Sequence, residues 1–598
     1  MNRTTISTLL LVTLFCLKSY ATIFIVNNTG DSSSMGSGTF RRAIIDVNND
    51  IFPPHNIVFN IATPFPVLNP ATTPYPAIGR TTDVNGTNTG VGGGIVTING
   101  ANVTAGAIGL TLTAFAGSST IRNFSIINFN NQAIQINVNN ATISNNRIGV
   151  DATGTIAGPN GTGIQVPNPA ANLTITNNII SGNRTNGINW LSTGATSTIQ
   201  QNLIGVDITG TIAIPNSNGI SAATGSNLII INNTISGNRG FGITSTAPNS
   251  FNISANRIGT DSSGLFAVSN GTGILITNFT ALNTRAITNN IISGNAINGI
   301  NLNNADNITI SLNRVGVSAA DDFLGNENIG ISLTNGSINN TIGSLTSGQG
   351  NIIANNPGGG VRVDGATTIR NAIIGNNIFN NNNAGIVLVN NGNSNQQPPI
   401  LDSICYSGTT LTIHGTAPAI APLGTELRIQ FFANDAANKT NEGQIYLGDS
   451  TPVLPGPFTA MLTGITMLPF SPTYISATAV ANNNTGSSPG DTSTFSASLS
   501  PLALSITPAF QSVCVGDDIT LTAITTNPDG TTLYAWTGPN GFMENTGTNP
   551  NLTITNATAA NSGNYTVSTN SPFFSCPQTS SPAEVAVAVP CTFNTVNN

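Results

Sequence analysis

Charge is scarce in this sequence. Only 7% of its 598 residues are Asp, Glu, Lys or Arg, and the 16 Lys plus Arg are scattered. No basic cluster exists to meet a phosphate backbone, so nucleic-acid binding is excluded. Histidine is scarcer. His55 and His414 fall in different predicted domains, which supports neither a shared His metal site nor a Ser/His/Asp triad. Cysteine is limited to five residues. Four of them, Cys405, Cys514, Cys576 and Cys591, crowd into the final third, a distribution that suits an oxidising compartment. After the first twenty residues no apolar run could cross a bilayer, so no transmembrane segment is expected in the mature chain.

Glycine is abundant, at 63 residues, and apolar residues still reach 39%, enough to bury a core and unlike charge-rich disordered chains. The balance is Asn, Thr and Ser, residues of turns and strand faces, so few helices are expected. Residues 1 to 21 have the form of a signal peptide. Arg3 gives the positive start, Leu9 to Cys16 the apolar stretch, and Ser19-Tyr20-Ala21 a small-residue cleavage site. The expected location is therefore secreted or cell-surface, after cleavage near Ala21.

Two motifs alternate through the middle of the chain. Asn146-Arg-Ile-Gly-Val-Asp151 returns at Asn202 to Asp207 and Asn256 to Asp261, and a fourth copy starts at Asn313. Between them lie Asn178-Ile-Ile-Ser-Gly-Asn183, its copies at Asn233 and Asn290, and a looser one at Asn351. Units of this length cannot bury an apolar face alone and must stack. Helix hairpins are excluded because apolar positions alternate, as in Gly163-Ile164-Gln165-Val166, and Gly and Asn are too frequent. Each step between motifs is expected to be one coil of three short strands, with Ile143, Ile148, Ile164 and Val166 inward and Asn146 at a tight left-handed bend. Stacking then sets Asn146, Asn178, Asn202, Asn233, Asn256 and Asn290 above one another as a hydrogen-bonded ladder. The extra residues of the longer coils, 152–160, 208–216 and 262–270, form a loop that recurs on one side. An open stack needs a cap, supplied by a helix with Thr39 as N-cap and Phe40, Ala43, Ile44 and Val47 on one face.

Gly38-Thr-Phe-Arg-Arg-Ala-Ile, Asn56-Ile-Val-Phe and Ile98-Asn-Gly, with the paired motifs, resemble secreted bacterial right-handed parallel β-helix proteins. The resemblance implies an all-β chain: a signal peptide over 1–21, a right-handed parallel β-helix solenoid with its cap over 22–397, a β-sandwich spacer over 398–500 and an immunoglobulin-like sandwich over 501–598. In the last segment Trp536 and Asn561-Ser-Gly-Asn-Tyr565 resemble the core Trp and tyrosine corner of that fold, while Leu521 and Val567 hold its usual cysteine positions. The expected disulfide is Cys514–Cys576. Members of the β-helix group include adhesins and lyases, so fold does not give function.

Catalysis on this fold needs convergent carboxylates, either with Ca2+ and a base or as an acid/base pair. The column Asp151, Asp207 and Asp261 is a candidate for binding, although an Asp at this turn can also serve its own backbone and the fourth copy carries Ser318. Asp321, Asp322 and Glu327 form the one local acidic cluster, either a solvated loop or a cation site; no cofactor is expected unless Ca2+ binds there. Trp190 is either a sugar-stacking platform or a core residue. The sequence thus points to a secreted or cell-surface non-enzymatic protein, an adhesin or glycan-contacting rod whose partner is an extracellular glycan or a cell-surface molecule. The alternative is a polysaccharide lyase or glycoside hydrolase.

Overall fold

The computed structural model describes residues 21–223, 225–279, 285–421, 425–438, 440–450, 453–482, 489–501, 503–526, 532–570 and 578–588. The signal-peptide segment up to Tyr20 lies outside them. Two compact units are present: Met1–Gly343 with Gly348–Arg362, and Ser344–Ser347 with Val363–Asn598.

The first unit is a right-handed parallel β-helix. One coil runs through Thr142–Ser144, Arg147–Ile148 and Thr162–Val166, and the next through Thr174–Thr176, Ile179–Ile180 and Asn186–Trp190. Equivalent strands pair in three long parallel sheets. Because the register is exact, isoleucines superimpose. Ile143, Ile175, Ile199 and Ile230 form one buried column, Ile148, Ile180, Ile204 and Ile235 a second, and Ile164, Ile188, Ile220 and Ile243 a third. Burying each such side chain stabilises the stack by about 1.5–3 kcal/mol.

Where the first strand turns into the second, the chain must change direction within two residues. The left-handed residue is Asn145, at φ 56°, and not Asn146 as the sequence suggested; Asn177, Gln201 and Asn232 take the same conformation in the next coils. That shift by one residue frees Asn146 to point inward. Its side-chain Nδ2 donates to Asn178 Oδ1 at 3.0 Å, and its backbone N–H donates to the same oxygen at 2.9 Å. The pattern repeats from Asn178 to Asn202, Asn233, Asn256, Asn290, Asn313 and Asn351. Each amide also donates to a carbonyl of the preceding coil, as Asn202 does to Ile175. A second ladder, unrecognised in the sequence, runs at another corner through Asn160, Asn183, Asn216, Asn238, Asn270, Asn295, Asn326 and Asn356.

The N-terminal end is closed by a helix, Phe40–Asn49, with Thr39 accepting the Arg42 N–H at 3.3 Å and Phe40, Ala43, Ile44 and Val47 buried. Phe40 packs against Phe59, Tyr75 and Phe124, so the apolar end of the first coil meets aromatic rings instead of water.

In the second unit the strands Ala372–Ile374, Asn377–Phe379 and Ile386–Val389 precede two sandwiches. The first sandwich pairs Ile400–Ser407, Thr410–Ala417 and Gly456–Thr463 in one sheet, and Ile445–Asp449, Glu426–Asn434, Tyr474–Asn482 and Pro489–Thr492 in the other. It is more than a spacer. Gln430 spans the gap to the coil, accepting from Gly375 N at 2.8 Å and donating to Ile373 O at 3.1 Å, while Thr492 accepts from Ile373 N at 2.8 Å. Backbone groups that a coil end would leave bare are thereby satisfied. Glu442, only 4% exposed, accepts from Asn381 N at 3.0 Å through Oε1, and its Oε2 has no partner. Burial raises its pKa to about 8 against those hydrogen bonds.

The last sandwich has the sheets Leu504–Thr507, Ile519–Thr525, Asn551–Ile554 and Phe510–Cys514, Ala583–Ala588, Gly563–Asn570, Leu533–Thr537, Met543–Gly547. Trp536, Leu521 and Val567 are buried between them, and the Tyr565 hydroxyl donates to Asn561 O at 2.9 Å. Cys405 and Cys514 are each disulfide-bonded. The expected partner of Cys514, Cys576, lies outside the described residues.

Two stability measurements test these assignments. Asn202→Ala removes an acceptor from two Asn178 donors and strands the Ile175 carbonyl, and an expected loss of about 3 kcal/mol should appear as a lower urea midpoint of the first unit. For Glu442 the folded pKa lies above the unfolded one, so its contribution is complete below the ordinary value of 4.5 and is lost as pH rises through about 8. Midpoints of the second unit should therefore fall between pH 6 and pH 9, and Glu442→Gln should flatten that decline.

Candidate functional site

The longer coils insert a loop between the second and third strands, and the loop is built around its first Asp. Asp151 Oδ1 accepts the N–H groups of Gly154, Thr155 and Ile156 at 3.1–3.2 Å and the Thr153 hydroxyl at 2.8 Å. Asp207 does the same for Thr211 and Ile212, and Asp261 for Leu265 and Phe266. In the fourth loop Ser318 Oγ accepts from Ala320 and Asp322, taking over the role with a neutral oxygen. Burial disfavours the charge of Asp151 and Asp207, but the donors outweigh it and both pKa values are lowered; the same balance lowers Asp261. These carboxylates are turned into their own loops.

Loops of alternate coils touch. Ile208 N donates to Gly154 O at 3.0 Å, Ser262 N to Gly210 O at 2.9 Å, and Ala319 N to Gly264 O at 2.9 Å. Glycine at these corners has φ of 71–79°, and a Cβ on Gly154 would stand 3.0 Å from Ile208 and 3.1 Å from Ile179. The result is a continuous ridge. Arg147 lies beneath it, its guanidinium donating to Ala152 O and its pKa lowered by burial despite Asp151 nearby. The loop leaves Arg147 half-buried.

Beside the ridge lies a groove of about 440 Å³, lined among others by Asn123, Asn145, Asn177, Gln201, Arg147, Ile179, Leu203 and Ile208. The left-handed turn that sends Asn146, Asn178 and Asn202 inward presents the preceding residue outward. Asn145, Asn177 and Gln201 are accordingly exposed, and their side-chain amides make no hydrogen bond with the described residues. Adjacent strands are about 4.8 Å apart, so these amides form a row along the stack with aliphatic side chains as its floor. Amides both donate and accept, which fits a ligand rich in hydroxyl groups. No carboxylate lines the groove. Sequence reasoning missed these three residues because it assigned the turn conformation to the ladder asparagine that follows each.

The other candidates separate. Trp190 is 2% exposed and stands inside the stack between Val166 and Ala222, its Nε1 donating to Ser192 O at 3.1 Å. The small Ala222 makes room for the ring, so Trp190 is a core residue and not a sugar platform. Asp321 pairs with Arg314 at 2.7 Å, and no three His, Cys, Asp or Glu side chains among the described residues gather in a metal-binding group. Asp321, Asp322 and Glu327 are thus not brought together.

No family model matches this sequence, and no curated protein matches it. Solved structures similar to this chain include three bacteriophage proteins. Tailspike protein 2 from Escherichia coli O157:H7 bacteriophage CAB120 aligns at 10% identity over 89% of this chain and 62% of its own, with a TM-score of 0.30. A tailspike from Acinetobacter baumannii bacteriophage Fri1, described as a capsular polysaccharide depolymerase, aligns at 9% identity over 88% and 80%, with a TM-score of 0.28. The three N-terminal domains of the bacteriophage RB49 Highly Immunogenic Outer Capsid protein align at 16% identity over 32% and 59%, with a TM-score of 0.17. The chain spans less than two thirds of the first and last of these. The β-helix itself is established by its strand order and register.

The loop carboxylates set an acid limit. Their folded pKa values lie below the ordinary 3.8, so their contribution is complete above that value and is lost as pH falls through the folded values. Proteolysis of the loops should accelerate at acidic pH, and Asn at Asp151, Asp207 and Asp261 together should remove most of that dependence.

Proposed function

We propose that this chain is an exported, glycan-contacting rod whose contact face is the groove beside the loop ridge. The single observation that carries the reading is the row of free amides, Asn145, Asn177 and Gln201, over the aliphatic floor of Ile179 and Leu203. Such a surface satisfies sugar hydroxyls from its walls and packs against the apolar face of a pyranose ring from below. Export is supported by the form of residues 1 to 21 and by the oxidised state of Cys405 and Cys514. Among the described residues no helix is long and apolar enough to cross a membrane. The second unit adds two sandwiches, the last of immunoglobulin-like design. The rigid register fixes the spacing of the amides without any induced fit, which lowers the entropic cost of engaging an extended polymer.

Cleavage of an extracellular polysaccharide is the second reading, and it is the activity named for the Fri1 tailspike. It requires carboxylates that the groove lining does not provide, so the reacting groups would have to stand elsewhere on the coils.

One experiment separates the two. The full chain is applied to a glycan array and, in parallel, to polyuronates and neutral glycans with detection of new reducing ends and unsaturated products. Binding without turnover, weakened about tenfold when Asn177 and Gln201 are both changed to Ala (~0.7 kcal/mol per lost neutral hydrogen bond), is expected. Turnover abolished by changing a single Asp would replace the rod with an enzyme.

A further inference from the structure

The loop ridge carries a second periodic feature that the hydrogen-bonded Asp turns do not explain. The residue five positions after each Asp is apolar and stands in solvent: Ile156 is 65% exposed, Ile212 63% and Phe266 69%. Each could have been polar at no cost to the loop, since the turn uses only its backbone, donating to the Asp carboxylate and accepting from the Asp N–H. Large apolar side chains repeated in register on a surface mark a contact site.

Two properties of the ridge define what fits it. The first is spacing. The loops come from alternate coils, so equivalent residues are about 10 Å apart, twice the separation of adjacent strands. This is the advance of one disaccharide along an extended β-1,4-linked glycan. The second is neutrality. The carboxylates of Asp151, Asp207 and Asp261 are engaged by their own loops, which carry no other charged residue, while Arg147, half-buried in the groove lining, donates to Ala152 O. What remains exposed between the apolar residues is hydroxyl, from Thr153, Thr155, Thr209 and Thr211. The ridge is also continuous with the groove, because Ile208 belongs to the second loop and lines the groove.

We infer that ridge and groove together form one binding site for an uncharged β-1,4-linked polysaccharide lying parallel to the stack. The alternate sugars of the chain would pack their apolar faces on Ile156, Ile212 and Phe266, while the hydroxyls on its other edge meet the amide row. The inference rests on the glycan-contacting role proposed above and adds to it the charge, linkage geometry and repeat length of the ligand.

The test uses the full chain with cellobiose, cellotetraose, cellohexaose and chitohexaose, and with a β-1,4-linked hexamer of mannuronate as the charged counterpart, by titration calorimetry. Affinity should rise with each added disaccharide until three ridge residues are covered, and the neutral hexamers should bind more tightly than the uronate. Ile212→Ser and Phe266→Ser should each weaken the hexamer about tenfold; both residues are solvent-exposed, and unchanged unfolding midpoints would confirm that the fold is retained. Binding that survives these variants but falls with Asn177→Ala and Gln201→Ala would overturn the ridge and leave the groove reading intact. Preference for the uronate would overturn the assignment of a neutral ligand. Failure of every oligosaccharide to bind would overturn the β-1,4-linked ligand, and the glycan-contacting role would fall with it only if the glycan array were negative as well. Self-association of the chain that Phe266→Ser reverses, seen by sedimentation, would reassign the ridge to contact between copies.

Discussion

Every coil of this protein is incomplete by itself. Its strands have no hydrogen-bond partner within the coil, and its corners bury amides and backbone N–H groups where water cannot reach them. The carboxamide of asparagine solves both problems at once, because one side chain offers an oxygen that takes two donors from the coil before it and an NH2 group that gives to carbonyls and to the next oxygen. An unsatisfied group in such a place costs about 1–3 kcal/mol, so the ladder penalises slippage by even one residue. Isoleucine columns supply most of the burial, yet isoleucines alone would tolerate sliding. The amides fix the register, and the register fixes every surface feature that follows from it.

Loops, turns and groove are consequences of that register. The Asp turn encloses its carboxylate, the glycine corner lets one loop rest on the next, and the left-handed residue before each ladder asparagine is forced outward. A surface of this kind needs no flexible element to present repeated groups at constant spacing. The end of a stack is the weak point of the design: an aromatic-lined helix closes the N-terminal coil, and within the second unit Gln430, Thr492 and Glu442 reach from a sandwich to the strands before it.

What could be read from the sequence was whatever repeats. The ladder asparagines and the inward isoleucines are visible because equivalent coils impose the same demand many times, and the single capping helix is visible from Thr39 and the one-sided spacing of Phe40, Ala43, Ile44 and Val47. The misplacement of the left-handed turn came from the doublets Asn145-Asn146 and Asn177-Asn178, where either residue suits it. Gln201-Asn202, Ala255-Asn256 and Leu312-Asn313 carry the discriminating signal, since only the second position is always Asn and only a buried hydrogen-bond network requires that. The second ladder was half visible, at Asn183, Asn238 and Asn295, but its alternate rungs sit at the ends of the longer loops and were counted as loop. Trp190 lies two residues from Ile188 on one strand and so shares its inward face, a clue that its size obscured. The contacts of Gln430 and Glu442 with the last strands join positions more than fifty residues apart and have no local signature.

Projecting loops arise from every other coil, which makes the pair of coils, and not the single coil, the interchangeable part of this molecule. Duplication or loss of a pair would lengthen or shorten the stack while keeping loop against loop and leaving the N-terminal cap untouched. Gain of a lone coil would separate two loops by an extra layer and break the Gly154–Ile208 type of contact at that point. Size in this architecture can therefore change by quantised increments, and a lineage could match its reach to its surroundings without redesigning a single turn.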